Sequence, residues 1–200
     1  MSWAALHHLG NLTLTLPLAG AIAAWLLAAR NWRAALYWLA LFASALSVVG
    51  ISKVAFLGWG TAIPALGFKA FSGHAAGVAA LYPVLFYLLL RCFAADASWT
   101  GFSLGLALAA LVAFALVEAG EHSAAEACAG WLVGTAASAA TIRVTHAAAP
   151  PRAMTGLACA LIAFGAASMA MRQAQVGYWM IKVALALSGN TYPFRWDSCG

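Results

Sequence analysis

Charge is missing from long stretches of this chain, and that absence decides what it can fold into. Residues 34–52, 70–90, 97–117, 127–142 and 153–171 contain no Asp, Glu, Lys or Arg, and an earlier stretch ends at Ala29. A helix that crosses a bilayer needs about 20 apolar residues, within a range of roughly 17–25. Five of the windows meet that length, and 127–142 does so if its helix starts near His122. The runs are continuous rather than alternating, so helices and not strands are the spanning elements. The expected fold is therefore all-α: a polytopic membrane helix bundle with six spanning helices. Composition agrees, since 65% of the residues are hydrophobic and 8% are charged, where a soluble domain carries about a quarter charged residues.

The chain reads as a single membrane domain over residues 1–200, without an internal repeat. Its first 29 residues hold no Lys or Arg, so the positive region of a cleavable signal is not expected. Cys92, Cys128, Cys159 and Cys199 are scattered, and buried inert thiols fit them better than a disulfide framework or a metal set. The net charge of +5 does not point to nucleic acid, because no basic stretch or soluble domain is present to bind it. Topology and anionic lipid explain it better. Arg30, Arg33, Arg91, Arg143 and Arg152 all fall on one side if the helices alternate. Positive loops stay in the cytoplasm, which puts the amino terminus and the loops bearing Lys53, Lys69, Glu118, Glu121 and Glu126 outside. The expected location is a cell inner (plasma) membrane, with the polar face periplasmic or extracellular.

Gly58, Gly60, Pro64 and Gly67 predict a loop of about twenty residues between the second and third spans. The "HAAAPPR" segment at 146–152 predicts an inner turn stopped by its prolines. In the tail over 172–200, "GYWMIKVALAL" is too short to span and carries Lys182, which predicts an interfacial helix. Gly130 and Gly134, four apart, predict close helix packing.

Polar groups within apolar runs are costly and point to function. They concentrate on the outer side: Lys53 ending span two, Lys69, Ser72 and His74 opening span three, and "EAGEHSAAE" at 118–126. His122 and Glu126 stand four apart and would share a helical face. A carboxylate so placed fixes the imidazole tautomer and prepares His122 as nucleophile or base. "SGH" opens a helix, which would leave the N–H groups of Ser72, Gly73 and His74 free for an anion such as phosphate. Lys53 would add a positive charge there.

"FSGH" (71–74) and "GEHSAAEACAGWLVG" (120–134) resemble two of the three motifs of the type 2 phosphatidic-acid phosphatase superfamily of membrane lipid phosphatases. Lys53 stands where that family's first motif opens with lysine, and the resemblance spans a phosphatase-like core at 50–135. It implies that His122 attacks phosphorus to form a phosphohistidine, that Glu126 orients its ring, and that His74 protonates the leaving oxygen. It further implies that Lys53, Ser72 and Gly73 hold the phosphoryl oxygens of a lipid phosphate or diphosphate, with no metal and no cofactor. The chain departs from the family at three points. Gly60 replaces the arginine of the first motif, Ala115 and Leu116 replace the Ser-Arg opening the third, and Glu126 replaces an aspartate. Lys69, Arg172 and Arg195 are the candidates to supply the missing positive charge. Two other functions stay open. One is a member of the same fold that binds a lipid or a partner protein without turnover. The other is a metal site formed by His74, Glu118, His122 and Glu126, with Glu118, His122 and Glu126 repeating at helical spacing. His7, His8 and His146 are expected at the surface.

Overall fold

A computed structural model describes residues 4–146, 153–172 and 174–195. The turn 147–152, with Arg152, and Cys199 lie outside the described residues. Helices account for nearly all of the rest, and an isolated bridge between Ile63 and Phe68 is the one β feature among the described residues. The order is α1 (Ala4–His7), α2 (Leu12–Ala28), α3 (Trp32–Trp59), α4 (Gly73–Phe93), α5 (Ser98–Glu118), α6 (Ala124–Thr145), α7 (Ala153–Met171) and α8 (Val176–Ser188). The fold is the all-α bundle expected from the charge-free windows.

Helix α4 is the axis of the bundle. Ala75, Ala76, Val78, Ala79 and Leu81 are fully buried on it, as is Tyr87. Two stripes of small residues let neighbouring backbones close on it. Gly101 and Gly105 of α5 lie against Phe86 and Pro83, while Gly130 and Gly134 of α6 lie against the carbonyls of Ser72 and Ala76. A methyl group at any of these positions would collide with α4 backbone. Close packing of this kind is what Gly130 and Gly134 were expected to provide. Outside the core, large apolar side chains such as Leu36, Ile51, Leu104, Phe114, Leu132 and Ile162 are exposed. On a soluble domain so much exposed apolar surface would drive aggregation, whereas in a bilayer it is the solvated surface. The protein is a membrane protein.

By length and composition α3, α4, α5 and α6 suffice to cross a membrane. The stretch Thr155–Met171 and α8, bent by 58° at the break between them, add a fifth span if they are counted as one. Helix α2, at 17 residues, is apolar but shorter, about 25 Å long at 1.5 Å per residue. The 13 residues of α8 reach about 20 Å by the same rise. It packs through Ala184 on Phe56 and Leu57 of α3, and Lys182 Nζ lies 4.8 Å above the Tyr178 ring.

Helix α3 differs from expectation. It continues for 28 residues to Trp59, so Lys53 lies inside it and the following loop is shorter than predicted. Gly58 does not break the helix: it is a packing glycine, with the Ala184 carbonyl 3.1 Å from where its Cβ would stand. The stop is Gly60, whose φ of 65° is left-handed.

At one end of the bundle Arg91 caps α6, donating to the carbonyls of Thr145 and His146 at 3.0 and 2.7 Å. The opposite end gathers the close of α3, the starts of α2, α4 and α6, and the turn after α5. The polar residues singled out in the sequence meet there.

Candidate functional site

Glu126 organises this end. It is the third residue of α6, and Ser123 before that helix forms a capping box with it. The Ser123 hydroxyl accepts from the Glu126 N–H at 3.2 Å, and Glu126 Oε2 accepts from the Ser123 N–H at 3.2 Å. The same carboxylate crosses to the loop before α4, where Oε1 accepts from the N–H of Lys69 at 2.9 Å and of Ala70 at 3.4 Å. The Glu126 carbonyl accepts from the Ser72 N–H at 3.1 Å. One buried residue, 5% exposed, therefore stitches loop, turn and two helix starts together. Ser52 on α3 adds a further tie, its hydroxyl accepting from the Phe71 N–H at 3.1 Å.

His122 Nδ1 lies 2.9 Å from Glu126 Oε2. A carboxylate that already accepts backbone N–H groups is ionised and can only accept, so Nδ1 is the donor. In the neutral ring that donor assignment puts the lone pair on Nε2. The pair does not form by sharing a helical face. Helix α5 ends at Glu118, Gly120 turns the chain at φ 71°, and α6 begins only at Ala124. His122 sits ahead of the cap, and Glu126 reaches back to it as it reaches back to Ser123.

Across from His122 stands His74, with 6.5 Å between ring centroids. A cavity of about 450 Å³ opens beside them, lined by Lys53, Lys69, Glu121, His122, Ser123 and Glu126 among others. A second, of about 240 Å³, is lined by Lys53, Gly73 and His74 together with Gly10, Asn11 and the start of α8. Lys53 borders both, and its Nζ is 3.7 Å from where a Gly73 Cβ would lie.

No protein-family model matches the chain, and no solved structure matches it. The chain is 36% identical over 140 residues to the "uncharacterized 22.5 kDa protein in cps region" of Klebsiella pneumoniae. That similarity covers 70% of this chain and 67% of the Klebsiella protein. The chain belongs to that protein's family.

In this member of the family, His122, Glu126, Lys53 and Lys69 converge on the larger cavity, while His74 and Gly73 border the smaller one. Two expected roles change. Ser72 is fully buried: its N–H is taken by the Glu126 carbonyl and its hydroxyl caps α4 by accepting from the Ala75 N–H at 3.3 Å. Its N–H and hydroxyl oxygen are engaged in holding the loop, and the residue borders neither cavity. The amides left open at the start of α4 are those of Gly73 and His74, which make no hydrogen bond among the described residues. Arg195 is exposed beyond Phe194 and, like the exposed Arg172, borders neither cavity.

The metal arrangement fails on geometry. Glu118 and His122 belong to no common helix, and among the described residues no three His, Cys, Asp or Glu side chains converge on a metal position. Sequence reasoning missed the amino-terminal contribution. His7 is not a plain surface residue: its Nδ1 lies 3.6 Å from Glu121 Oε1, and its ring centroid lies 6.5 Å from that of His74. The available signal was a His-His pair in a segment otherwise free of charge. His146, at the far end, lies with its Nδ1 2.8 Å from the Tyr87 hydroxyl.

Proposed function

We propose that this protein is an integral membrane lipid phosphatase, resembling the type 2 phosphatidic-acid phosphatases, that works through a phosphohistidine at His122. The observation that carries this reading is the 2.9 Å contact of His122 Nδ1 with buried Glu126, beside two lysines and opposite His74. Such a contact leaves Nε2 as a nucleophile with its lone pair free and stabilises the imidazolium character that develops as the N–P bond forms. Lys53 and Lys69 stand where transferred phosphoryl oxygens need positive charge. His74 is the acid that protonates the leaving oxygen as the P–O bond breaks. It then becomes the base that takes a proton from the water cleaving the N–P bond. The apolar helix surfaces around the cavity suit a substrate held in a bilayer, a prenyl or glycerolipid phosphate or diphosphate. The positive-inside count supports an inner-membrane site that opens to the periplasmic or extracellular face.

The test is phosphate release from a panel of lipid phosphates by the purified protein, compared with His122→Ala. Release that is independent of added metal and lost in the variant supports the reading. A second reading, lipid or partner binding without turnover, is favoured by one observation. Ala115 and Leu116, at the positions of the family's Ser-Arg pair, are packed in the core at 2% and 0% exposure. Those two positions therefore bring no positive charge to the site. Stoichiometric lipid-phosphate binding without release from any panel member would select that reading.

A further inference from the structure

Two carboxylate–imidazole pairs stand beside His74. One is His122 with Glu126, whose side chains are 14% and 6% exposed. The other is His7 with Glu121, at 25% and 40%. Each imidazole has its ring centroid 6.5 Å from His74. The amino-terminal segment that carries His7 is fixed in place. Gly10 is buried so closely on α4 that a Cβ there would stand 2.8 Å from the Cβ of His74. Two turns further along α4, the Tyr82 hydroxyl donates to the Leu9 carbonyl at 3.5 Å. The segment thus packs on His74 and places a partly exposed imidazole next to it.

We propose that His7 and Glu121 form a solvent-facing proton relay to His74, which makes the amino-terminal segment a working part of the site. This rests on the phosphatase reading above. Glu121 Oε1, 3.6 Å from Nδ1, orients the His7 ring. His7 exchanges a proton with His74 through a bridging water and with bulk solvent, so that His74 is protonated when the leaving step begins. His74 gives that proton to the leaving oxygen and recovers one from the water that cleaves the N–P bond, so the relay exchanges protons with solvent without a net transfer over the cycle. The division of labour follows exposure: the more buried pair serves the nucleophile, and the open pair serves exchange with solvent. The charged and titratable groups facing His74 are Lys53 from α3, His122 and Glu121 from the turn before α6, and His7 from the amino-terminal segment. Those facing His7 are Glu121, His74 and its neighbour His8, at 4.2 Å between ring centroids.

A relay to the general acid has a signature that a structural contact lacks. A lipid phosphate has an alkoxide leaving group that needs a proton, whereas p-nitrophenyl phosphate does not. His7→Asn and Glu121→Gln in the full chain should lower phosphate release from the lipid substrate by about tenfold or more. Release from p-nitrophenyl phosphate should change by less than about twofold, because proton donation contributes only where the leaving group needs it. Equal losses on both substrates, or no loss on either, overturn the relay. Imidazole nitrogen spectra of the full chain in micelles read the coupling without turnover. Glu121→Gln should displace the His74 titration while the resonance of His146, at the opposite end of the bundle against Tyr87, stays in place as a reporter of the intact fold. A His74 titration that does not move overturns the pairing. If wild type releases phosphate from neither substrate, the phosphatase reading fails, and the spectra still decide whether His7 and Glu121 act on His74.

Discussion

Glu126→Gln separates the two things Glu126 does. The Gln side chain has the same length and keeps an amide oxygen for the N–H groups of Lys69 and Ala70, now 2.9 and 3.4 Å from Oε1. Its NH₂ then replaces Oε2, facing the Ser123 N–H at 3.2 Å and His122 Nδ1 at 2.9 Å. One backbone donor loses its acceptor, at a cost of about 1–3 kcal/mol, so the fold should survive. The chemical effect is larger. An NH₂ can only donate to Nδ1, which moves the ring proton to Nε2 and blocks the attacking lone pair. The same tautomer exchange in a catalytic triad reduces turnover by about 10⁴-fold, and a loss of about 10³–10⁴-fold is expected here. Glu126→Ala should instead strand all three backbone donors. At about 1–3 kcal/mol each, partly recovered by water at the exposed loop, the loss of stability is about 3–5 kcal/mol. The assays are phosphate release, thermal unfolding in micelles, and the nitrogen shifts of His122. A Gln variant with the wild-type tautomer and wild-type rate would refute the reasoning, as would an Ala variant that melts with wild type.

Other perturbations follow from the same geometry. Lys69→Ala should cut kcat/KM by about tenfold or more, because it removes a cavity cation. Arg195→Ala, outside both cavities, should stay within about twofold, and phosphate release from the two variants side by side checks the ordering. Gly130→Ala and Gly134→Ala drive a methyl into α4 backbone and should destabilise by about 1–3 kcal/mol or more. Gly20→Ala, with open space at its Cβ, should be neutral or stabilising by about 0.4–1 kcal/mol, and thermal unfolding in micelles reads all three. In a cysteine-free background, Glu118→Cys should react with an impermeant maleimide added to intact cells and Arg33→Cys should not. The reverse pattern would invert the orientation.

What the sequence made legible, and what it hid, divides by the range of the interaction. The long helices were visible because a bilayer demands continuous charge-free runs, and Ser72 in "SGH" marked a helix start, whereas the helix expected from near His122 begins at Ala124 behind its Ser123 cap. The extent of α3 was hidden. Gly58 looks like a breaker in isolation but is a contact with α8, and Lys53 looks like a terminus but lies within the helix. The His122–Glu126 contact was foreseen for a different reason than the one that forms it, since a capping residue reaching back mimics helical spacing. The use of the Ser72 N–H by the Glu126 carbonyl, and the approach of His7 to Glu121, join residues far apart in the chain. Spacing within a motif carries no information about either.

The most direct measurement is whether phosphorus becomes bonded to His122. The full chain in micelles would be mixed with a lipid phosphate, quenched in alkali within the first turnover, and digested for mass spectrometry. A phosphate on His122 that disappears as free phosphate is released, and that never forms in Glu126→Gln, is the predicted result. Steady release of phosphate with His122 unmodified at every time point would contradict the mechanism.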